Sequence, residues 1–177
     1  MAKTTVEEKE IEKKGQTPDM IFINRIKVEN NGTAAINYRT SNDKSAKEVY
    51  YKGKNPITEE FARLFQNCKT GFTSIIPALY SEMPDITMNV IKFDYGKDDF
   101  LEKALYSVKY AFSDQNNAVV NISTPMLPIY KEELGDSTYC ISGKDVDALH
   151  DVIAAAKRYM NGETRTEQTS LNLKVVK

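Results

Sequence analysis

Twice along this chain, runs of alternating apolar and polar residues separated by Asn-, Gly- and Asp-rich turns give way to a segment whose apolar residues recur every three or four positions. Side chains alternate between the two faces of a strand but return to one face of a helix every 3.6 residues, so the pattern switches from strand to helix twice. In the first cycle the alternation predicts strands over 20–30, 33–40 and 47–52. Asn30-Asn31-Gly32 and residues 41–45 form the turns, because Asn and Gly tolerate positive φ. Gly53-Lys-Asn-Pro56 stops the sheet, and Asn55 or Thr58 can cap a helix. That helix carries Phe61, Leu64, Phe65 and Cys68 at i, i+3, i+4 and i+7, with Gly71 as its terminator. The second cycle predicts strands over 86–95, 103–113 and 118–124, then a looser stretch containing Pro125, Pro128 and Gly135. Ser142-Gly-Lys-Asp145 reads as a capping box opening a helix through Val146, Leu149, Ile153, Ala156 and Met160, stopped at Asn161-Gly162.

The order is therefore βββα, twice. Asn24-Arg-Ile-Lys-Val28 aligns with Asn89-Val-Ile-Lys-Phe93, and Ile36-Asn-Tyr38 with Val108-Lys-Tyr110, an order that suggests internal duplication. One three-stranded sheet with one helix is a poor core, because strand edges and an apolar face stay open. Two halves joined edge to edge give an α+β fold, a roughly six-stranded antiparallel sheet with two helices on one face. The other sheet face then meets water or a partner. Residues 1–17 are almost wholly polar and read as a mobile arm; 18–162 form a single domain with halves 18–80 and 85–162, and 163–177 a flexible tail.

Residue chemistry argues for binding rather than catalysis. The formal net charge of −1 provides no whole-molecule field to gather phosphate, so any nucleic-acid site must be local. The first ten residues hold no apolar run, and no stretch approaches the roughly 20 apolar residues that span a bilayer, so we expect a cytoplasmic protein with no membrane partner and two reduced cysteines. The only histidine, His150, lies on a helix between Asp147 and Asp151, and a Cys68–His150 dyad has no further support. Asp94, Asp98 and Asp99 cluster without cation-loop spacing and with Lys97 among them. Zinc spacing and a glycine-rich phosphate loop are absent. We expect no catalytic residue, no metal site and no cofactor.

Three features suit binding. Arg25, Lys27, Arg39, Tyr50, Lys52, Lys54 and Lys92 combine cations with an aromatic ring on predicted strands, as a face for single-stranded nucleic acid or a replication protein would. Acidic neighbours Glu29, Glu48 and Asp94 dilute that field, and a wet sheet face alone accounts for Tyr and Lys. The segment Met126, Leu127, Ile129 and Tyr130, stiffened by Pro125 and Pro128, suits a protein interface or packs on its own core. In the tail, Gln168, Leu171 and Leu173 have the spacing of peptides that dock on the bacterial sliding clamp, without the usual final aromatic. An exposed strand edge would also allow a homodimer.

Asn89-Val-Ile-Lys-Phe-Asp-Tyr-Gly96, Asn121-Ile-Ser-Thr-Pro125 and Arg158-Tyr-Met-Asn-Gly-Glu163 give the second half a resemblance to early accessory proteins of bacteriophages and prophages. The resemblance implies a non-enzymatic protein accompanying DNA replication or recombination in a bacterial cell, with a host or phage protein and single-stranded DNA as partners. Alternatives in the same setting are an inhibitor of a host defence or nuclease system and a small-nucleotide-binding sponge.

Overall fold

The computed structural model describes residues 20–76, 85–112, 118–129 and 140–165. The 1–17 arm and residues 166–177 of the tail, with Gln168, Leu171 and Leu173, lie outside them. In chain order the elements are β1 (Phe22–Val28), β2 (Ala34–Arg39), β3 (Val49–Lys52), α1 (Glu59–Asn67), α2 (Lys69–Ile75), β4 (Thr87–Tyr95), β5 (Leu101–Ala111), β6 (Val119–Ser123), β7 (Leu127–Pro128) and α3 (Lys144–Met160).

The strands form one antiparallel sheet in the order β3-β2-β1-β4-β5-β6, with short β7 pairing the free end of β5. Each half is a meander in which sequence neighbours lie side by side, joined among the described residues by short turns and, between β2 and β3, by the longer loop over 40–48. At the first, Gly32 has φ 79° while Asn31 Oδ1 accepts from the Thr33 amide (3.1 Å) and hydroxyl (2.8 Å). The halves meet through β1 and β4, where Ile26 stands opposite Ile91 and Arg25 opposite Lys92.

Cross-strand partners share a face, so the registers define which side chains line up. Tyr51, Ile36, Ile26, Ile91 and Tyr106 form one row across five strands. The helices cover this face. The Tyr159 ring of α3 meets Tyr51 (6.0 Å) and Phe61 of α1 (5.8 Å), both edge-on, and Gln66 of α1 exchanges hydrogen bonds with the Met88 backbone. The core between the layers holds Phe61, Phe65, Cys68, Phe72, Leu149, Val152 and Ala156 from the helices and Ile23, Ile26, Ile36, Ile91, Tyr106 and Val108 from the sheet.

Three local expectations are corrected. Gly71 does not end the first helix: α1 stops at Asn67 and, past Cys68, the chain continues as α2 through Gly71, where the missing Cβ makes room for the Tyr106 ring. Ser142 does not close a capping box: Gly143 occupies the N-cap with φ 53°, and Asp145 instead accepts from Thr70 Oγ1 of α2 (2.8 Å). The looser proline stretch supplies a seventh strand, since Pro128 pairs at the sheet margin, where few ladder donors are needed. Thr58, not Asn55, caps α1, accepting from the Phe61 amide (3.1 Å).

Candidate binding face

The sheet face opposite the helices carries two cross-strand rows. In one, Tyr50 pairs with Asn37, Asn37 with Arg25 and Arg25 with Lys92, so four neighbouring strands present four functional side chains in line. In the other, Lys52 and Lys27 flank the small Ala35, and Lys27 is followed by Val90, Ser107 and Ser123. With strands about 4.8 Å apart, the first row spans about 14 Å. This juxtaposition follows from the β1–β4 seam, which sets Arg25 of one half beside Lys92 of the other.

The groups along these rows differ in what they are free to meet. Tyr50 is 44% exposed and Lys52 and Lys92 are exposed. Among the described residues Arg25, Lys52 and Lys92 have no ion-pair partner, whereas Lys27 Nζ lies 2.9 Å from Glu29 Oε1 and its charge is offset. Arg25 Nε and Asn37 Oδ1, a donor and an acceptor on adjacent strands, are buried without a hydrogen-bond partner among the described residues. A polar group so placed costs about 1–3 kcal/mol unless something meets it.

Arg39 and Lys54 do not join this surface. Residues 41–48 fold over one corner of the face: Asn42 Nδ2 donates to the Gly96 carbonyl, and Lys44 Nζ lies 3.7 Å from Asp94 Oδ2. Beneath this loop Arg39 is buried, donating from Nε to Asn24 Oδ1 (3.2 Å) and from Nη1 to the Asp43 carbonyl (3.1 Å). The Ser45 amide and hydroxyl hold the Asp43 carboxyl below its ordinary range. Asn24, Arg39, Lys44, Ala46, Glu48 and Asp94 line a shallow cleft of about 310 Å³ of mixed charge. Lys54 is exposed in the turn after β3, off the sheet.

Sequence reasoning missed Asn37, Asn89 and Asn121 on this face. Asn89 Nδ2 donates to Asn121 Oδ1 (3.0 Å) across β4 and β6, over the intervening β5. Asn89 sits where the β4–β5 register slips between Met88 and Val90, and a bulge of this kind has no signature in single-residue alternation. Asn37 was readable as outward-facing but lacked the charge that singled out its neighbours.

The other candidates separate. Leu127 is buried in β7 against Ala104, and the Ile129 amide donates to the Glu102 carbonyl (2.8 Å), so this stretch packs on its own sheet; Met126 remains 38% exposed and Tyr130 lies outside the described residues. Cys68 is buried with its Sγ 3.6 Å from the Ala148 carbonyl, while exposed His150 lines a separate cleft with Met20, Phe100 and Lys157. Burial, reinforced by Asp145 and Asp151, pushes the Cys68 thiol up to about 12, which keeps it protonated and unreactive. Among the described residues no three His, Cys, Asp or Glu side chains converge where an ion could sit, and no helix is long and apolar enough to cross a membrane. No family model matches the chain, and neither a curated protein nor a solved structure is similar to it.

Proposed function

We propose that the helix-free face binds single-stranded nucleic acid without catalysing a reaction. The observation that carries this reading is the single row Tyr50–Asn37–Arg25–Lys92, with Lys52 beside it and no acid neutralising its cations among the described residues. Arg25, Lys52 and Lys92 would follow phosphates, and the Tyr50 ring would stack on a base, a contact worth about 1–3 kcal/mol and indifferent to sequence. Asn37, half-buried in the row between Tyr50 and Arg25, adds an amide group that can hydrogen-bond a base edge or a sugar. If the resemblance of residues 89–96, 121–125 and 158–163 to phage early accessory proteins holds, such binding would accompany DNA replication or recombination in a bacterial cytoplasm.

Fluorescence anisotropy with a labelled oligothymidine tests this directly. We expect binding at low salt that weakens steeply as salt rises, because phosphate contacts release counterions. Tyr50→Ala should cost roughly tenfold in affinity. Absence of binding at about 50 mM salt, or full affinity in Tyr50→Ala, would remove the reading and leave a protein partner as the alternative.

A further inference from the structure

The two margins of the sheet are unlike. β3 is four residues long, bears Lys52 with Lys47 and Glu48 before it, and stops at Gly53, features that discourage strand addition. At the other margin β6 reads Val119-Val120-Asn121-Ile122-Ser123, without charge or proline, and Val119 and Val120 are 55% and 41% exposed.

The ladder to β5 settles which backbone groups of β6 point outward. The Thr124 amide donates to the Tyr106 carbonyl (2.9 Å) and the Phe112 amide to the Ala118 carbonyl (3.0 Å). In an antiparallel pair, hydrogen-bonded positions alternate, so residues 118, 120, 122 and 124 bond inward. Val119, Asn121 and Ser123 therefore turn their amides and carbonyls away from the sheet, and none of these groups has a partner among the described residues.

We propose that β6 is a dimerisation edge that pairs antiparallel with β6 of a second copy, about a two-fold axis through Asn121. In this register Asn121 exchanges both its backbone bonds with the second Asn121, and Val119 does so with Ser123 of the other copy on either side. All six outward groups of each strand are then satisfied. The side chains also match themselves: Val120 meets Ile122 on the helix side, and Asn121 meets Asn121 on the open side. No like charges face each other, which is why a second copy fits better than a charged partner strand. The axis runs perpendicular to the sheet, so both helix-free faces lie on one side of a continuous twelve-strand path. Dimerisation stands independently of what that face binds.

Sedimentation equilibrium of the full chain should report the mass of two chains at about 100 µM, as ordinary micromolar pairing requires. Asn121→Asp keeps an acceptor for Asn89 Nδ2 yet sets two carboxylates opposite each other, and Asn121→Lys sets two ammonium groups there. Each variant alone should dimerise roughly fivefold more weakly or worse, and an equimolar mixture should recover the dimer. A monomeric wild type, variants that dimerise unchanged, or a mixture without recovery would overturn the proposal. Amide exchange on the wild-type protein gives a check that needs no variant. The Val119, Asn121 and Ser123 amides should become protected as concentration rises, and unprotected amides in a dimer would place the contact elsewhere.

Discussion

The phenol oxygen of Tyr159 lies 3.3 Å from the amide nitrogen of Ala34 and accepts its hydrogen, tying the end of α3 to the start of β2 across 125 residues of sequence. The same hydroxyl donates to the Asn55 carbonyl (2.5 Å), so one side chain satisfies a buried strand-end donor and anchors the turn leading to α1. Tyr159→Phe leaves that amide without its partner and should lower stability by about 1–3 kcal/mol in urea unfolding. Gly53→Ala should cost more, because its Cβ would stand 1.8 Å from the Tyr159 hydroxyl oxygen. Stability in Gly53→Ala equal to wild type would contradict this packing.

A second close approach lies under α2. A Cβ on Gly71 would fall 2.5 Å from the Tyr106 hydroxyl oxygen and 2.6 Å from its ring carbon Cζ. Gly71→Ala normally favours a helix, yet here overpacking should dominate, with a loss of about 1–3 kcal/mol. Because the ring carbon is as close as the hydroxyl, adding Tyr106→Phe should not restore stability. Recovery in the double variant would show that only the hydroxyl clashes.

Alkaline pH should unfold the protein progressively. Burial raises Cys68 from 9.0 to about 12 and lifts Tyr95 and Tyr106 well above 10.0. These acids are neutral when protonated, so above their unfolded values the unfolded chain loses protons that the folded chain retains. Stability is therefore full below pH 9 and falls as pH rises beyond it. For Cys68 alone the loss at pH 10.5 is about 2 kcal/mol. Urea midpoints measured from pH 8 to 10.5 should drop accordingly. Cys68→Ala should start lower but show a shallower decline, and an identical slope would exclude Cys68 as a contributor.

Arg39 and Lys92 should behave differently despite their shared charge. Lys92→Ala should leave stability within about 0.5 kcal/mol and reduce the salt slope of single-strand binding by about 0.7. Arg39→Ala should lower stability by about 1–3 kcal/mol by freeing residues 41–48, with no change in slope. A reduced slope in Arg39→Ala would mean that the loop opens to admit the ligand.

Most of the architecture was legible because it is periodic. Alternation located β1 through β6 to within about two residues, and the Phe61, Leu64, Phe65, Cys68 spacing located α1. Local chemistry was less legible where two solutions compete. Gly71 has the composition of a helix end but serves a ring on another element, and Ser142 has the composition of a cap that Gly143 displaces. The candidate face was partly readable, since alternation places Arg25, Lys27, Tyr50, Lys52 and Lys92 outward, but alternation treats Arg39 identically.

By itself, the sequence determined which residues face apart along each strand, since that depends only on the two-residue repeat of an extended backbone. It also determined that two incomplete cores had to merge. Only the tertiary structure decided that β1 meets β4 with Arg25 opposite Lys92, that residues 41–48 close over Arg39, and that β6 is left as the uncharged margin. Register, bulges and loop placement are set by contacts between segments far apart in the chain, and nothing in the local order of residues specifies those contacts.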